Sequence, residues 1–192
     1  GDIHKVNQYG NTLAMVAVIK DDGDLIEALY KRKASNFSLK NPFGYTALDI
    51  AIVNGALNAA KKLIEYEKWS IDQLNKIDSN GWSLAMHAAS KDDDELIALL
   101  YSKGTDLFLM GSNGKTAIDI AIETKSRKAY KKLLQCQIEI YGTGNIDIGA
   151  LQLCAVITDN AALAEALVHQ GENFSFFAQD VIDGGHYPLL SI

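Results

Sequence analysis

The chain has 192 residues with 18 basic and 24 acidic side chains, a formal net charge of -6 and a pI near 5.2. It is 48% hydrophobic and 22% charged, the balance of a globular chain, and its acidity argues against a nucleic-acid binder, which usually carries a basic domain. Two cysteines, Cys136 and Cys154, form neither a metal-spaced cluster nor a disulfide framework, no apolar run is long enough to span a membrane, and no basic-then-apolar leader opens the chain.

Taken in chain order, one local pattern recurs. GNTLAMVA (10–17) opens the first copy. GYTALDIA (44–51) opens the second. There Ala47, Leu48, Ile50, Ala51 and Ile52 surround Asp49 with more apolar surface than a lone helix in water can carry. GWSLAMHA (81–88) and GKTAIDIA (114–121) open the third and fourth, IGALQLCA (148–155) is a looser fifth, and GHYPLLSI (185–192) begins a sixth. The last alanines are Ala17, Ala51, Ala88, Ala121 and Ala155, spaced by 34, 37, 33 and 34 residues. Twelve residues after each stands a leucine, Leu29, Leu63, Leu100, Leu133 and Leu167, placed to close a second helix. The longer interval falls in EYEKWSIDQLNK (65–76), read as an extended connection. Such units cannot bury their apolar faces alone, and stacked neighbours can. The expected repeats are 7–40, 41–77, 78–110, 111–144, 145–181 and a partial 182–192.

A second period lies over the first. LAMVA (13–17) returns as LAMHA (84–88), TALDIAI (46–52) as TAIDIAI (116–122), and LIEALYKRK (25–33) pairs with LIALLYSKG (96–104). Residues 151–171 align with 84–104 without gaps, so a pair of repeats is the duplicated unit.

These copies resemble the ankyrin repeat family, whose pattern is a turn, then Gly-x-Thr-Pro-Leu-His-x-Ala opening one helix, then a second helix ending in Leu-Leu. The resemblance implies an all-α solenoid of stacked helix–turn–helix units with hairpin fingers. Departures are systematic. The proline slot holds Leu13, Ala47, Leu84, Ala117 and Leu151, with only Pro188 matching, and the histidine slot holds Met15, Asp49, Met86, Asp119 and Leu153. Thr46 with Asp49, and Thr116 with Asp119, have capping-box spacing with a short acid. The family's inter-helix glycine survives as Gly55, while Asp21, Asp92, Lys125 and Asp159 hold the same slot elsewhere; aspartate tolerates left-handed backbone better than lysine.

The family commonly binds protein partners on a concave face made by the fingers and inner helices. Carried onto this chain, that face contains Tyr9, Asn11, Ile19 and Lys20, then Pro42, Phe43, Tyr45, Val53 and Asn54. It continues with Asn80, Trp82, Ser90 and Lys91, then Ser112, Lys115, Glu123 and Thr124. Tyr9, Phe43, Tyr45 and Trp82 cluster in the first three copies, and Tyr45 and Trp82 share a slot in adjacent ones. Exposed Trp and Tyr often dominate binding energy. Two readings stand: the rings form a binding patch, in which case Trp82→Ala weakens binding and spares stability, or they brace neighbouring fingers.

Other candidates read as structure. ETKSRKAYKKLL (123–134), with Lys61 and Lys62, fits a solvated outer helix face better than an anion site, and KDDDE (91–95) fits a helix start better than a calcium loop, lacking the required spacing. Ser83 in GWSLA has no second glycine for a nucleophile elbow, YGTGN (141–145) is a lone Gly-x-Gly, and His4, His87, His169 and His186 are scattered without a partner at ligand spacing. The expected function is therefore a non-enzymatic protein-binding scaffold with no cofactor and no metal. The alternative is the substrate-recognition or regulatory repeats of a larger enzyme or secreted bacterial effector. The abrupt start at Gly1 and the apolar end at Ile192 suggest a longer chain. The two cysteines fit a reducing intracellular compartment, so the chain is expected in the cytoplasm; its Lys, Asn and Ile content and divergent repeats are similar to those of ankyrin proteins of intracellular bacteria, which implies a host cell if it is secreted.

Overall fold

A computed structural model of the chain describes residues 5–34 and 36–141. The expected fifth and sixth copies lie outside them. The described elements are α1 (Leu13–Ile19), α2 (Gly23–Lys31), α3 (Ala47–Asn54), α4 (Leu57–Tyr66), α5 (Ile71–Leu74), α6 (Leu84–Ser90), α7 (Asp94–Ser102), α8 (Ala117–Glu123) and α9 (Arg127–Tyr141). Inner helices α1, α3, α6 and α8 each pair with the outer helix that follows, α2, α4, α7 and α9. Ala17, Ala51, Ala88 and Ala121 are fully buried in the core. Alanine there lets inner helices approach closely, and Leu29, Leu63, Leu100 and Leu133 fill the space behind them. Each such leucine contributes roughly 1.5–3 kcal/mol through its removal from water.

The inner helices start where the sequence says, for a reason partly missed in it. In α3 the Thr46 hydroxyl accepts the Asp49 N–H at 3.2 Å while Asp49 Oδ2 accepts the Thr46 N–H at 2.8 Å. Asp119 reaches back to Thr116 in the same way. In α1 and α6 the same position is methionine, and the sulfur of Met15 and of Met86 accepts the Thr12 and Ser83 N–H, each at 3.4 Å. Thioether sulfur is a weak acceptor, but buried amides without a partner cost more than weak bonds gain. Methionine in copies one and three and aspartate in copies two and four follow the two-repeat period.

The turns between helices follow it too. Asp21, Asp92 and Lys125 have φ of 52°, 57° and 56°, the left-handed backbone that Gly55 adopts at 59°. Asp21 and Asp92 also reach into the following repeat. Asp21 Oδ1 accepts the Ala59 N–H at 2.9 Å and Asp92 Oδ1 accepts the Ala129 N–H at 2.9 Å. Ala56, the residue before α4, offers no side-chain cap of its own. The adjoining Asp22 and Asp93 instead cap their own helices, accepting from the N–H of Leu25 and Leu96. The acidic run 91–95 is thus a turn and a helix start, as expected.

The spacing excess in 65–76 forms more than a connection. Ser70 and Gln73 close a capping box on the short α5, which buries Leu74, and Trp69 Nε1 donates to the Leu63 carbonyl at 2.9 Å. Here the stack loosens: the backbones of α3 and α6 approach less closely than those of α1 and α3 or of α6 and α8. Charged groups occupy this seam. Lys76 binds the buried Asp49, and Lys61 bonds Asp93 at 2.7 Å and Glu95 at 3.2 Å. Gly55 faces His87, whose Nδ1 would lie 3.0 Å from any Cβ placed there.

Candidate partner-binding face

Each finger is built from one backbone bond and one side chain. Asn7, Asn41, Asp78 and Gly111 donate their N–H to the carbonyls of Asn11, Tyr45, Trp82 and Lys115 at 2.8–2.9 Å. In the first three fingers the leading side chain folds over the turn. Asn7 Oδ1 accepts from the N–H of Tyr9 and Asn11, Asn41 Oδ1 from Phe43 and Tyr45, and Asp78 Oδ1 from Asn80 and Trp82. These are Asx turns, whose side chain satisfies amides that the tight hairpin leaves unpaired. Glycine replaces the acceptor in the fourth finger because a Cβ on Gly111 would sit 2.3 Å from the Gly81 carbonyl oxygen. Fingers touch in pairs: Asn41 Nδ2 donates to Asn11 Oδ1 at 3.1 Å, and the Ser112 N–H donates to the Gly81 carbonyl at 3.3 Å.

The four aromatic rings proposed for this face part company. Phe43 is 77% exposed, Tyr9 65% and Tyr45 48%, with Ile19 and Val53 also exposed on the inner helices. Trp82 is half-buried against the core, its ring centroid 5.1 Å from that of His87. His87 Nε2 meets Asp78 Oδ2 at 2.9 Å, so a single carboxylate folds the third finger and ties it to α6. Sequence reasoning found no carboxylate partner for His87; the structure supplies one from the finger, nine positions upstream and outside helical spacing. Trp82 is thus less open than Tyr9, Phe43 and Tyr45, which belong to repeats one and two.

Polar candidates divide similarly. Lys20, Asn54, Asn80 and Lys91 are exposed, whereas Asn11 is engaged with Asn41 and Lys115 is ion-paired with Glu123. Burial pushes the Asp49 carboxyl up, but Lys76 and the Thr46 N–H and hydroxyl outweigh it and hold the group below its ordinary value. Asp78 behaves alike: burial raises it, and the Trp82 N–H, His87 and the Asn80 N–H bring it below normal.

Elsewhere the charges are spent locally. A cleft among α2, α4 and α7 is lined by Asp21, Asp22, Lys61 and Lys62. Asp21 and Asp22 accept amide bonds, Lys61 bonds Asp93, and Lys62 bonds Glu27 at 3.0 Å. The basic stretch of 123–134 enters α9, where Arg127 and Lys128 are exposed, as a solvated face requires. Cys136 is buried and free, its thiol pushed up to about 11 chiefly by burial. Among the described residues no three His, Cys, Asp or Glu side chains converge as metal ligands, and no helix is long and apolar enough to cross a membrane.

Paired helices stacked behind hairpin fingers, with left-handed inter-helix turns, define a helical repeat solenoid. The family model for ankyrin repeats (three copies) matches residues 1–75 and 68–143, and the chain belongs to the ankyrin repeat family. It is similar to the ankyrin repeat and SAM domain-containing protein 6 of Rattus norvegicus, 30% identical over 99 residues, covering 51% of this chain and 11% of that protein. The NAD-capped RNA hydrolase NUDT12 of Homo sapiens is 32% identical over 74 residues, 38% of this chain and 14% of the enzyme. The ankyrin repeat domain-containing protein OPG023 of Monkeypox virus is 29% identical over 131 residues, 66% of this chain and 19% of that protein. The chain thus spans less than a fifth of the length of these relatives. Ankyrin repeats are generally protein–protein interaction modules, and the all-α paired-helix architecture is the one the sequence pattern implies.

Proposed function

We propose that this chain is a non-catalytic binding module, acting in a reducing intracellular compartment, that holds another protein on its finger and inner-helix face, centred on repeats one and two. The observation that carries this is the exposure of Tyr9, Phe43 and Tyr45 on the first two fingers and of Ile19 and Val53 on their inner helices, the finger backbones being fixed by Asx turns and so losing little freedom on binding. Lys20 and Asn54, at the ends of the same inner helices, and Asn80 and Lys91 of repeat three are exposed as well. The test is affinity capture with wild type and a Phe43→Ala/Tyr45→Ala variant, read by mass spectrometry. A protein retained by wild type and lost by the variant, at unchanged melting temperature, supports the reading; identical retention overturns it.

A second reading is that the repeats serve an attached domain, recognising a substrate or governing assembly. The comparison with the NAD-capped RNA hydrolase favours it, since the matching stretch there is 14% of a longer enzyme. The sequence of the full-length gene product decides it: a reading frame that adds a catalytic domain supports this version, and one that adds none removes it.

A further inference from the structure

We infer that the segment bound by this face is an acidic peptide with apolar anchors, an inference that rests on the partner-binding reading above and narrows it. Residues 5–20 and 40–54, which build the first two fingers and their inner helices, contain Lys5, Lys20 and Lys40 and one carboxylate, Asp49. That carboxylate is 5% exposed and bound to Lys76 and Thr46. No ion pair engages Lys5, Lys20 or Lys40 among the described residues, and all three are exposed. Lys91 stands at the end of α6 as Lys20 stands at the end of α1, and is also exposed. The face is therefore locally cationic on a chain whose net charge is -6.

The carboxylates gather elsewhere. On the far repeat Glu123 is paired with Lys115, and Asp119 caps its own helix. On the outer helices Glu27, Asp93 and Glu95 hold Lys31, Lys62 and Lys61. Lys5, Lys20 and Lys40 are open on the same two stretches that carry Tyr9, Phe43 and Tyr45. A partner placing carboxylates opposite Lys5, Lys20 and Lys40 and apolar side chains against the rings satisfies both features, and complementary charge sets orientation and association rate. A polynucleotide would also meet lysines and stacking rings, but Ile19, Val53, Val6 and Leu13 add exposed aliphatic surface that bases use poorly and apolar side chains use well.

The experiment is selection of short randomised peptides on the immobilised chain, followed by affinity measurement on the variants, with oligouridine RNA as a parallel probe. Enrichment of Asp and Glu interleaved with aromatic or aliphatic residues is expected. Affinity should fall roughly tenfold or more for Lys5→Glu/Lys20→Glu/Lys40→Glu, and fall with rising salt. Peptides that depend on Phe43 and Tyr45 but carry no acidic excess would overturn this inference and leave the binding face standing. Peptides indifferent to Phe43→Ala/Tyr45→Ala would remove both. No enrichment, or binding by oligouridine alone, overturns the acidic-peptide assignment. Circular dichroism melting of each variant establishes that loss of binding is not loss of fold.

Discussion

The carboxylate of Asp21 caps a helix that belongs to the next repeat: Oδ1 accepts the Ala59 N–H at 2.9 Å, two residues inside α4, from a backbone held at φ 52°. Asp92 does the same for Ala129. Neighbouring repeats therefore exchange hydrogen-bond partners as well as apolar surface. Replacing Asp21 by alanine removes the acceptor and keeps the unfavourable backbone, and is expected to cost about 1–2 kcal/mol in urea unfolding. Asp21→Asn, which retains an acceptor oxygen and the tolerance for left-handed backbone, should cost less. Equal losses for the two variants would deny the cap.

Lys125 shares the left-handed backbone at φ 56°, and its ammonium cannot accept an amide bond as the Asp21 and Asp92 carboxylates do. Lys125→Gly is expected to stabilise the chain by about 1 kcal/mol, seen as a raised thermal midpoint. A lowered midpoint would mean that the lysine side chain supports the turn.

Trp82 and Phe43 should respond oppositely. Trp82 lies against the core and His87, so Trp82→Ala should lower stability by roughly 2–4 kcal/mol, while Phe43→Ala, at 77% exposure, should change it by less than about 0.5 kcal/mol. Thermal melting of the two variants side by side makes the comparison. A stable Trp82→Ala chain would return that ring to the binding patch.

Leu100 is fully buried where α7 packs on its neighbours. Leu100→Ala should cost about 2–5 kcal/mol by leaving a cavity. Denaturant unfolding reads the loss directly, and a loss below about 1 kcal/mol would mean that the stack collapses into the gap.

Acid should destabilise repeats two and three. Asp49 and Asp78 are held below their ordinary values in the folded chain, so each stabilises the fold while ionised. That contribution is fully present above about pH 5 and is lost as pH falls through the unfolded-state value near ~4 toward the folded ones. Urea midpoints for wild type should drop over this window, and Asp49→Asn should show a shallower drop. Parallel curves would place the acid sensitivity elsewhere, for instance at Glu27, whose carboxyl is lowered to about 2, first by the Lys31 hydrogen bond and then by Lys62.

Much of this was legible in the sequence because repetition amplifies weak local signals. The alanine ladder, the second-helix leucines, the Thr46–Asp49 and Thr116–Asp119 caps and the left-handed aspartates all follow from residue type at a fixed register. What escaped depends on contacts between registers. Met15 and Met86 look like plain apolar residues until their sulfurs meet an amide. The Asx turns of Asn7, Asn41 and Asp78 recur in three fingers, each three residues before the turn glycine, a signal carried by side-chain bonding rather than by apolar periodicity. Trp82 differs from Tyr45 in the same slot because its copy has Asp78 and His87 beside it, where the second copy has Asn41 and Ile50. No periodicity encodes that difference.

The claim on which the function turns is that partners dock on the fingers and inner helices of repeats one and two. Amide hydrogen exchange across the chain, with and without a saturating peptide recovered by selection, tests it most directly. Slowed exchange confined to residues 7–19 and 41–54 is the expected result. Slowed exchange on α2, α4, α7 and α9, with those two stretches unchanged, would contradict it.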